Sequence, residues 1–100
     1  MKVTLLCALG MSTSMLVERM KKAAKARSVS IQIEAHSVND LEGQLETSDF
    51  ILLGPQIRYK QRELSAKAKA VGVPLAVIDM KAYGSMDGDK VLNQALELLR

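Results

Sequence analysis

The chain carries one cysteine, and Cys7 closes an apolar, partly β-branched run, Lys2 to Cys7 (KVTLLC), that predicts a buried strand. Behind it lie Gly10, Ser12, Thr13 and Ser14, small or hydroxyl-bearing, and from about Ser12 the apolar residues take helical spacing through Met15, Leu16, Met20, Ala23 and Ala24. A strand ending in a thiol thus leads through a short loop to a helix N-terminus. The first amides of such a helix have no helical acceptor, and its dipole adds partial positive charge. Together they form an anion cradle, and the same field favours thiolate over thiol. The hydroxyls of Ser12, Thr13 and Ser14 add donors for phosphoryl oxygens. The chemistry this arrangement predicts is covalent phosphorylation on sulfur. Packing is the competing role for a lone strand cysteine, because free Cys is among the most buried residue types.

A cysteine phosphatase is the nearest alternative. Such enzymes place an Arg at the end of the loop that begins with their Cys, to grip the phosphoryl group in a bidentate fork. The equivalent position here is Thr13, and no Arg or Lys lies between Cys7 and Glu18. A phosphatase also needs a general acid, for which Asp79 and Asp87 are the candidates. Without the Arg, hydrolysis is poorly assisted, and a phosphocysteine held by backbone donors could persist long enough to be handed on.

The elements that position Cys7 alternate in type. Ser30 to Ser37 alternates, with Ile31, Ile33 and Ala35 on one face and Gln32, Glu34 and His36 on the other, as expected of a strand near a sheet edge. Asn39 or Asp40 is expected to cap a short helix through Leu41 and Leu45. Asp49 to Leu53 reads as a second fully buried strand, ended by Gly54-Pro55. Gln56 to Val71 has helical spacing that Gly72 stops, Pro74 to Ile78 reads as a fourth strand, and Ala82 to Asp89 reads as a loop. Asp87 or Asp89 caps a last helix with the stripe Val91, Leu92, Ala95, Leu98 and Leu99.

This β-α-β-α-β-α-β-α order predicts an α/β fold: a four-stranded parallel sheet with right-handed crossovers and helices on both faces. Strands one, three and four read as interior and strand two as an edge. Order 2-1-3-4, a shortened flavodoxin-like and low-molecular-weight phosphatase-like arrangement, follows, with ligands beyond the carboxyl ends of the strands.

Composition narrows the function classes. At 100 residues the chain fits one domain, 1–100, and with 48% hydrophobic residues it can fill a core. The net charge of +3 is far from a nucleic-acid binder's basic face, and 3% aromatics exclude a stacking platform for single strands. One Cys and one His exclude an internal disulfide and a Cys/His zinc site, so neither a metal nor another cofactor is expected. The longest apolar runs, Val3 to Leu9 (broken by Thr4) and Phe50 to Leu53, fall short of the roughly 20 residues of a membrane span. Met1-Lys2 leads directly into a strand, so no signal peptide and no membrane insertion are expected, and the location implied is the cytoplasm.

The segment Cys7-Ala8-Leu9-Gly10-Met11-Ser12-Thr13-Ser14-Met15-Leu16-Val17 resembles the phosphorylation loop of enzyme IIB components of the bacterial phosphoenolpyruvate-dependent sugar phosphotransferase system, lactose/cellobiose branch. Leu53-Gly54-Pro55-Gln56-Ile57-Arg58-Tyr59, and Asp79 with Tyr83-Gly84-Ser85-Met86-Asp87-Gly88, are similar to that family too. The resemblance spans the whole chain in length and element order. It implies that Cys7 takes a phosphoryl group from a phosphohistidine on a IIA partner and passes it to a sugar, such as cellobiose, bound by a membrane IIC permease. Ala8, Leu9, Gly10, Met11, Ser12, Thr13, Ser14 and Met15 would form the phosphate-binding loop. Pro55, Gln56, Arg58, Asp79 and Tyr83 would form the rim that meets partners, and the protein would act as a monomer. Gly54 stands where relatives often carry Ala, and Lys60 where an apolar residue is expected. In-line transfer between proteins calls for an exposed sulfur with a flat surround.

Other residues have everyday roles available. His36 lies on the polar face of the edge strand, where a solvated side chain is the ordinary outcome. Arg58, Lys60 and Arg62 either steer a phosphorylated partner or solvate a helix. Met11 and Met15 offer a soft apolar docking patch or core filling.

Overall fold

A computed structural model describes residues 1–7 and 14–98. Four strands, β1 (Lys2–Cys7), β2 (Gln32–Ser37), β3 (Phe50–Leu53) and β4 (Leu75–Val77), form one parallel sheet in the order β2-β1-β3-β4. The order, the direction of every strand and the coverage of both faces match the expectation from sequence. The described residues form five α-helices: α1 (Ser14–Ala26), α2 (Leu41–Thr47) and α3 (Gln61–Ala70) lie between successive strands, and α4 (Met80–Gly84) and α5 (Gly88–Leu98) follow β4. Short 3-10 turns, Val38–Asp40 and Pro55–Lys60, lead into α2 and α3.

The strand pleat sorts side chains between two cores. Val3, Leu5, Phe50 and Leu52 face α1 and α5, where Leu16, Met20, Ala24, Val91, Leu92 and Ala95 meet them. Leu6, Ile51 and Leu53 face the other way, against Leu41, Ile57 and Leu64. Both faces of β1 and β3 are therefore covered, which is why these strands read as near-continuous apolar runs, with Thr4 the one polar break inside β1. Each large side chain removed from water contributes roughly 1.5–3 kcal/mol, so these two layers supply the main favourable term in folding.

The helices α1 and α5 approach closely at one point. A Cβ added at Gly88 would lie 2.5 Å from the Arg19 carbonyl carbon and 2.7 Å from the Met20 nitrogen. Only a residue without a side chain lets the start of α5 rest on the backbone of α1. Nearby, the Arg27 guanidinium donates to an Asp89 carboxylate oxygen at 2.9 Å and to the Asn93 side chain.

The amino end of the sheet is closed by polar contacts. Thr4 and Ser48, both buried, share a hydrogen bond of 2.6 Å between their hydroxyls. The Lys2 ammonium donates to Gln44 at 2.9 Å and to Thr47 at 2.8 Å, and lies 3.5 Å from a Glu34 oxygen. Its backbone N–H donates to the Asp49 carboxylate, while the Asp49 N–H donates to the Lys2 carbonyl. With the floor bonded in this way, the opposite end is left for chemistry.

Several local expectations are corrected. The fourth strand is an outer strand, and Leu75, Ala76 and Val77 are half-buried. Its apolar sequence reflects helices on both faces, not a neighbour on both sides. Ser37, and not Asn39 or Asp40, caps the turn before α2: its hydroxyl accepts from the Asn39 N–H, and Asp40 makes no side-chain cap bond. The helix expected from Gln56 begins as a 3-10 turn and becomes α-helical only at Gln61, although it does stop at Gly72, whose φ is +74°. The segment read as a loop from Ala82 holds the end of α4, because Asp79 caps that helix and Ala82 is buried in the core. Asp87 does cap α5, accepting from the Lys90 N–H at 3.1 Å.

Candidate functional site

All four parallel strands point their carboxyl ends to one side, and the candidate residues gather there. Cys7 is the last residue of inner strand β1, in register with Ser37 at the end of β2. On its other side the chain leaves β3 at Gly54, whose N–H donates to the Leu6 carbonyl at 2.8 Å. The N-terminus of α1, a helix of 13 residues, lies at this same end, and its dipole makes that end the positive pole. Ser14 and Met15 open α1, both exposed, and Met15 is 58% accessible. The remainder of the expected phosphate loop, Ala8, Leu9, Gly10, Met11, Ser12 and Thr13, lies outside the described residues.

Cys7 is buried, with 1% of its surface accessible, which corrects the expectation of an exposed sulfur. Strands β2 and β3 flank β1, and the Gln56 side chain lies close to the Gly54 backbone. A Cβ at Gly54 would sit 2.7 Å from the Gln56 Oε1 and 3.5 Å from the Cys7 Cβ. The Gln56 carboxamide is pinned from the other side, where its Nε2 donates to the Tyr83 hydroxyl at 2.6 Å.

Four of the five expected rim residues, Pro55, Gln56, Arg58 and Tyr83, line one open depression of about 480 Å³ together with Tyr59, Met80 and Gly84. Two of its walls, Tyr59 at 76% exposure and Met80 at 55%, are apolar side chains left in water. Exposed apolar bodies beside an Arg form a surface suited to a protein partner. Tyr59 closes the family-like segment from Leu53 but was not among the expected rim residues, and neither was Met80. The signal available was a large apolar residue on the otherwise polar side of a helical run.

Asp79, the fifth rim residue, does not line that depression. Its carboxylate accepts from the Ala82 N–H at 3.0 Å and so holds the first turn of α4, the helix that carries Tyr83. A further support went unnoticed in the sequence. Gln94 of α5 donates to the Val77 carbonyl at 2.8 Å and accepts from the Asp79 N–H at 3.1 Å. Those two groups point away from β3, so one carboxamide takes the place that a peptide unit of a neighbouring parallel strand would fill.

His36 is half-buried on β2, not freely solvated. Its Nε2 lies 2.8 Å from a Glu34 oxygen, and its Nδ1 lies 4.0 Å from Asp40. The His36 bond, a second from the Gln32 amide and the Lys2 charge together hold the Glu34 carboxyl at a pKa of about 2. Among the described residues, no group of three His, Cys, Asp or Glu side chains converges as a metal site would require, and no helix is long and apolar enough to cross a membrane.

Comparison with known proteins places this geometry. A relative described as the galactose-specific EIIB component of the phosphotransferase system in Lactococcus lactis subsp. cremoris is 43% identical over 97% of this chain and 94% of its own length. A cellobiose-specific EIIB component of Lactococcus lactis subsp. lactis matches at the same identity and coverage. The solution structure of the cellobiose-specific IIB component from Borrelia burgdorferi superposes with a TM-score of 0.83 at 38% identity, covering 99% of this chain and 91% of that one. The sequence model of the phosphotransferase-system lactose/cellobiose-specific IIB subunits matches residues 2–94, and the chain belongs to that family.

Proposed function

We propose that Cys7 is the phosphoryl acceptor and donor of this IIB subunit. The thiolate attacks the phosphorus of a phosphohistidine on a IIA protein. The N–P bond breaks as the S–P bond forms, and the imidazole leaves. In the second step a sugar hydroxyl held by the IIC permease attacks the same phosphorus. The O–P bond forms, the S–P bond breaks, and the hydroxyl proton passes to solvent or a base. Both steps take place on the cytoplasmic side.

The observation that supports this reading is the position of the chain's one cysteine, at the carboxyl end of an inner parallel strand and beside the N-terminus of α1. That pole stabilises a thiolate and then the phosphoryl charge on it. The loop from Ala8 to Met15 would supply the backbone donors, and the depression lined by Pro55, Gln56, Arg58 and Tyr83 the partner contact. We assign the sugar to the β-glycoside class of cellobiose and lactose, following the family. The phosphatase alternative is not favoured, since Thr13 occupies the position of its Arg.

The test is incubation with phosphoenolpyruvate, the general phosphotransferase proteins and a IIA partner, followed by intact mass. One phosphoryl group is expected on the wild type and none on Cys7→Ser. A modified Cys7→Ser chain would overturn the assignment.

A further inference from the structure

The depression at the carboxyl end of the sheet has two walls of unequal strength. One is the 3-10 turn with Pro55, Gln56, Arg58 and Tyr59, which follows inner strand β3 and is anchored by the buried Ile57. The other is α4, which supplies Met80, Tyr83 and Gly84. A helix of five residues is too short to be stable alone, so α4 takes its position from its surroundings. It follows an outer strand, and the Ile78 N–H ties the chain there to the Leu53 carbonyl at 2.8 Å. Gln94 holds the same stretch from the opposite side: its carboxamide donates to the Val77 carbonyl and accepts from the Asp79 N–H. Asp79 in turn receives two amides of α4, Ala82 on its carboxylate at 3.0 Å and Tyr83 on its carbonyl at 2.9 Å. Gln94 is half-buried on α5, which Val91, Leu92 and Ala95 seat on the core. A chain of bonds therefore runs from α5 through Gln94 and Asp79 to the weaker wall.

We infer that Gln94 is a positioning residue for partner recognition: it fixes α4 against the 55–59 turn, and so sets the shape of the depression that an incoming IIA protein must fit. This rests on the reading of that depression as the partner contact. Gln94 does not line the depression, and its effect passes through Asp79 and α4. Without it, α4 must be ordered as the partner arrives, and that ordering is subtracted from the affinity. The transfer step at Cys7 is untouched once the complex has formed.

Three variants test this, all measured far below the unfolding transition. Gln94→Ala removes both bonds, and Gln94→Met removes them while keeping most of the side-chain volume. Ser48→Ala is the stability control, because it breaks the buried Thr4–Ser48 bond at the opposite end of the sheet. Single-turnover transfer from phosphorylated IIA in excess gives a half-saturating concentration and a saturating rate. Both Gln94 variants should raise the half-saturating concentration about fivefold, the factor for one neutral hydrogen bond, and leave the saturating rate as in wild type. Ser48→Ala should change neither. The second readout needs no partner: amide exchange at Tyr83 should be faster in both Gln94 variants and unchanged in Ser48→Ala. An unmoved half-saturation, a loss confined to the saturating rate, an equal effect in Ser48→Ala, or unaltered Tyr83 exchange would each defeat the inference. If the wild type takes no phosphoryl group on Cys7, the proposed function fails on its own account. Calorimetric titration with unphosphorylated IIA then decides the role of Gln94, with a dissociation constant expected about fivefold higher in both of its variants and an equal one refuting it.

Discussion

Replacing Gly88 with Ala should destabilise this protein far more than a one-carbon change suggests. The added Cβ would meet the backbone of α1 at 2.5 Å from the Arg19 carbonyl carbon, 2.6 Å from its oxygen and 2.7 Å from the Met20 nitrogen. Carbon atoms pack best at roughly 3.5–4.0 Å, so α1 and α5 must part by about 1 Å. Backbone cannot rotate aside as a side chain can. The separation loosens the layer in which Leu16, Met20 and Ala24 meet Val91, Leu92 and Ala95. Overpacking of this kind costs about 1–3 kcal/mol, against which the helix propensity of Ala returns less than ~1 kcal/mol. A net loss of about 2 kcal/mol corresponds to a Tm lower by roughly 10 °C in a domain of this size. Gly43→Ala is the internal control. Gly43 lies within α2 with no atom inside 4 Å of the added Cβ, so the same chemical change should raise stability by about 0.5–1 kcal/mol. Thermal and urea unfolding followed by circular dichroism measure both. A Gly88→Ala protein as stable as wild type would refute the close-approach reasoning.

Glu34 sets an acid limb. Its pKa falls to about 2 from an ordinary 4.5, so its contribution is complete above the unfolded value and is lost as pH falls from 4.5 towards 2. With a third of the side chain in water, that contribution is on the order of 1 kcal/mol, and Glu34→Gln should flatten the stability–pH curve in this window alone. Gln94→Ala should leave the Val77 carbonyl and the Asp79 N–H without their side-chain partner, at about 1–2 kcal/mol. Faster amide hydrogen exchange is expected at Asp79 and Ala82, with the exchange of β1 unchanged.

The sheet was legible because burial on both faces leaves a plain trace. Phe50 to Leu53 is an uninterrupted apolar stretch, the run from Val3 to Cys7 is broken only by Thr4, and the alternation around Ile33 marks an outer strand. The same signal misplaced the fourth strand, since hydrophobicity records covered faces and says nothing about a missing lateral neighbour. Helix α4 escaped notice because Gly84, Ser85, Gly88 and two Asp residues look like turn chemistry. Its existence depends on the Asp79 cap and on Ala82 entering a core built by distant elements. At the site, the position of Cys7 followed from strand order, and the grouping of Gln56, Arg58 and Tyr83 was implied by the family resemblance. The burial of Cys7 did not follow, because the apolar pattern of a strand does not record how deeply its last side chain is packed.

The bracket that Gln94 forms on β4 bears on how such a molecule survives in a crowded cell. An outer parallel strand normally offers a ladder of bare peptide groups onto which any extended chain can zip. Here its carboxyl end already holds an imitation peptide unit, supplied by a helix that cannot propagate the ladder. A protein that must collide again and again with its partners thereby loses one invitation to polymerise with itself.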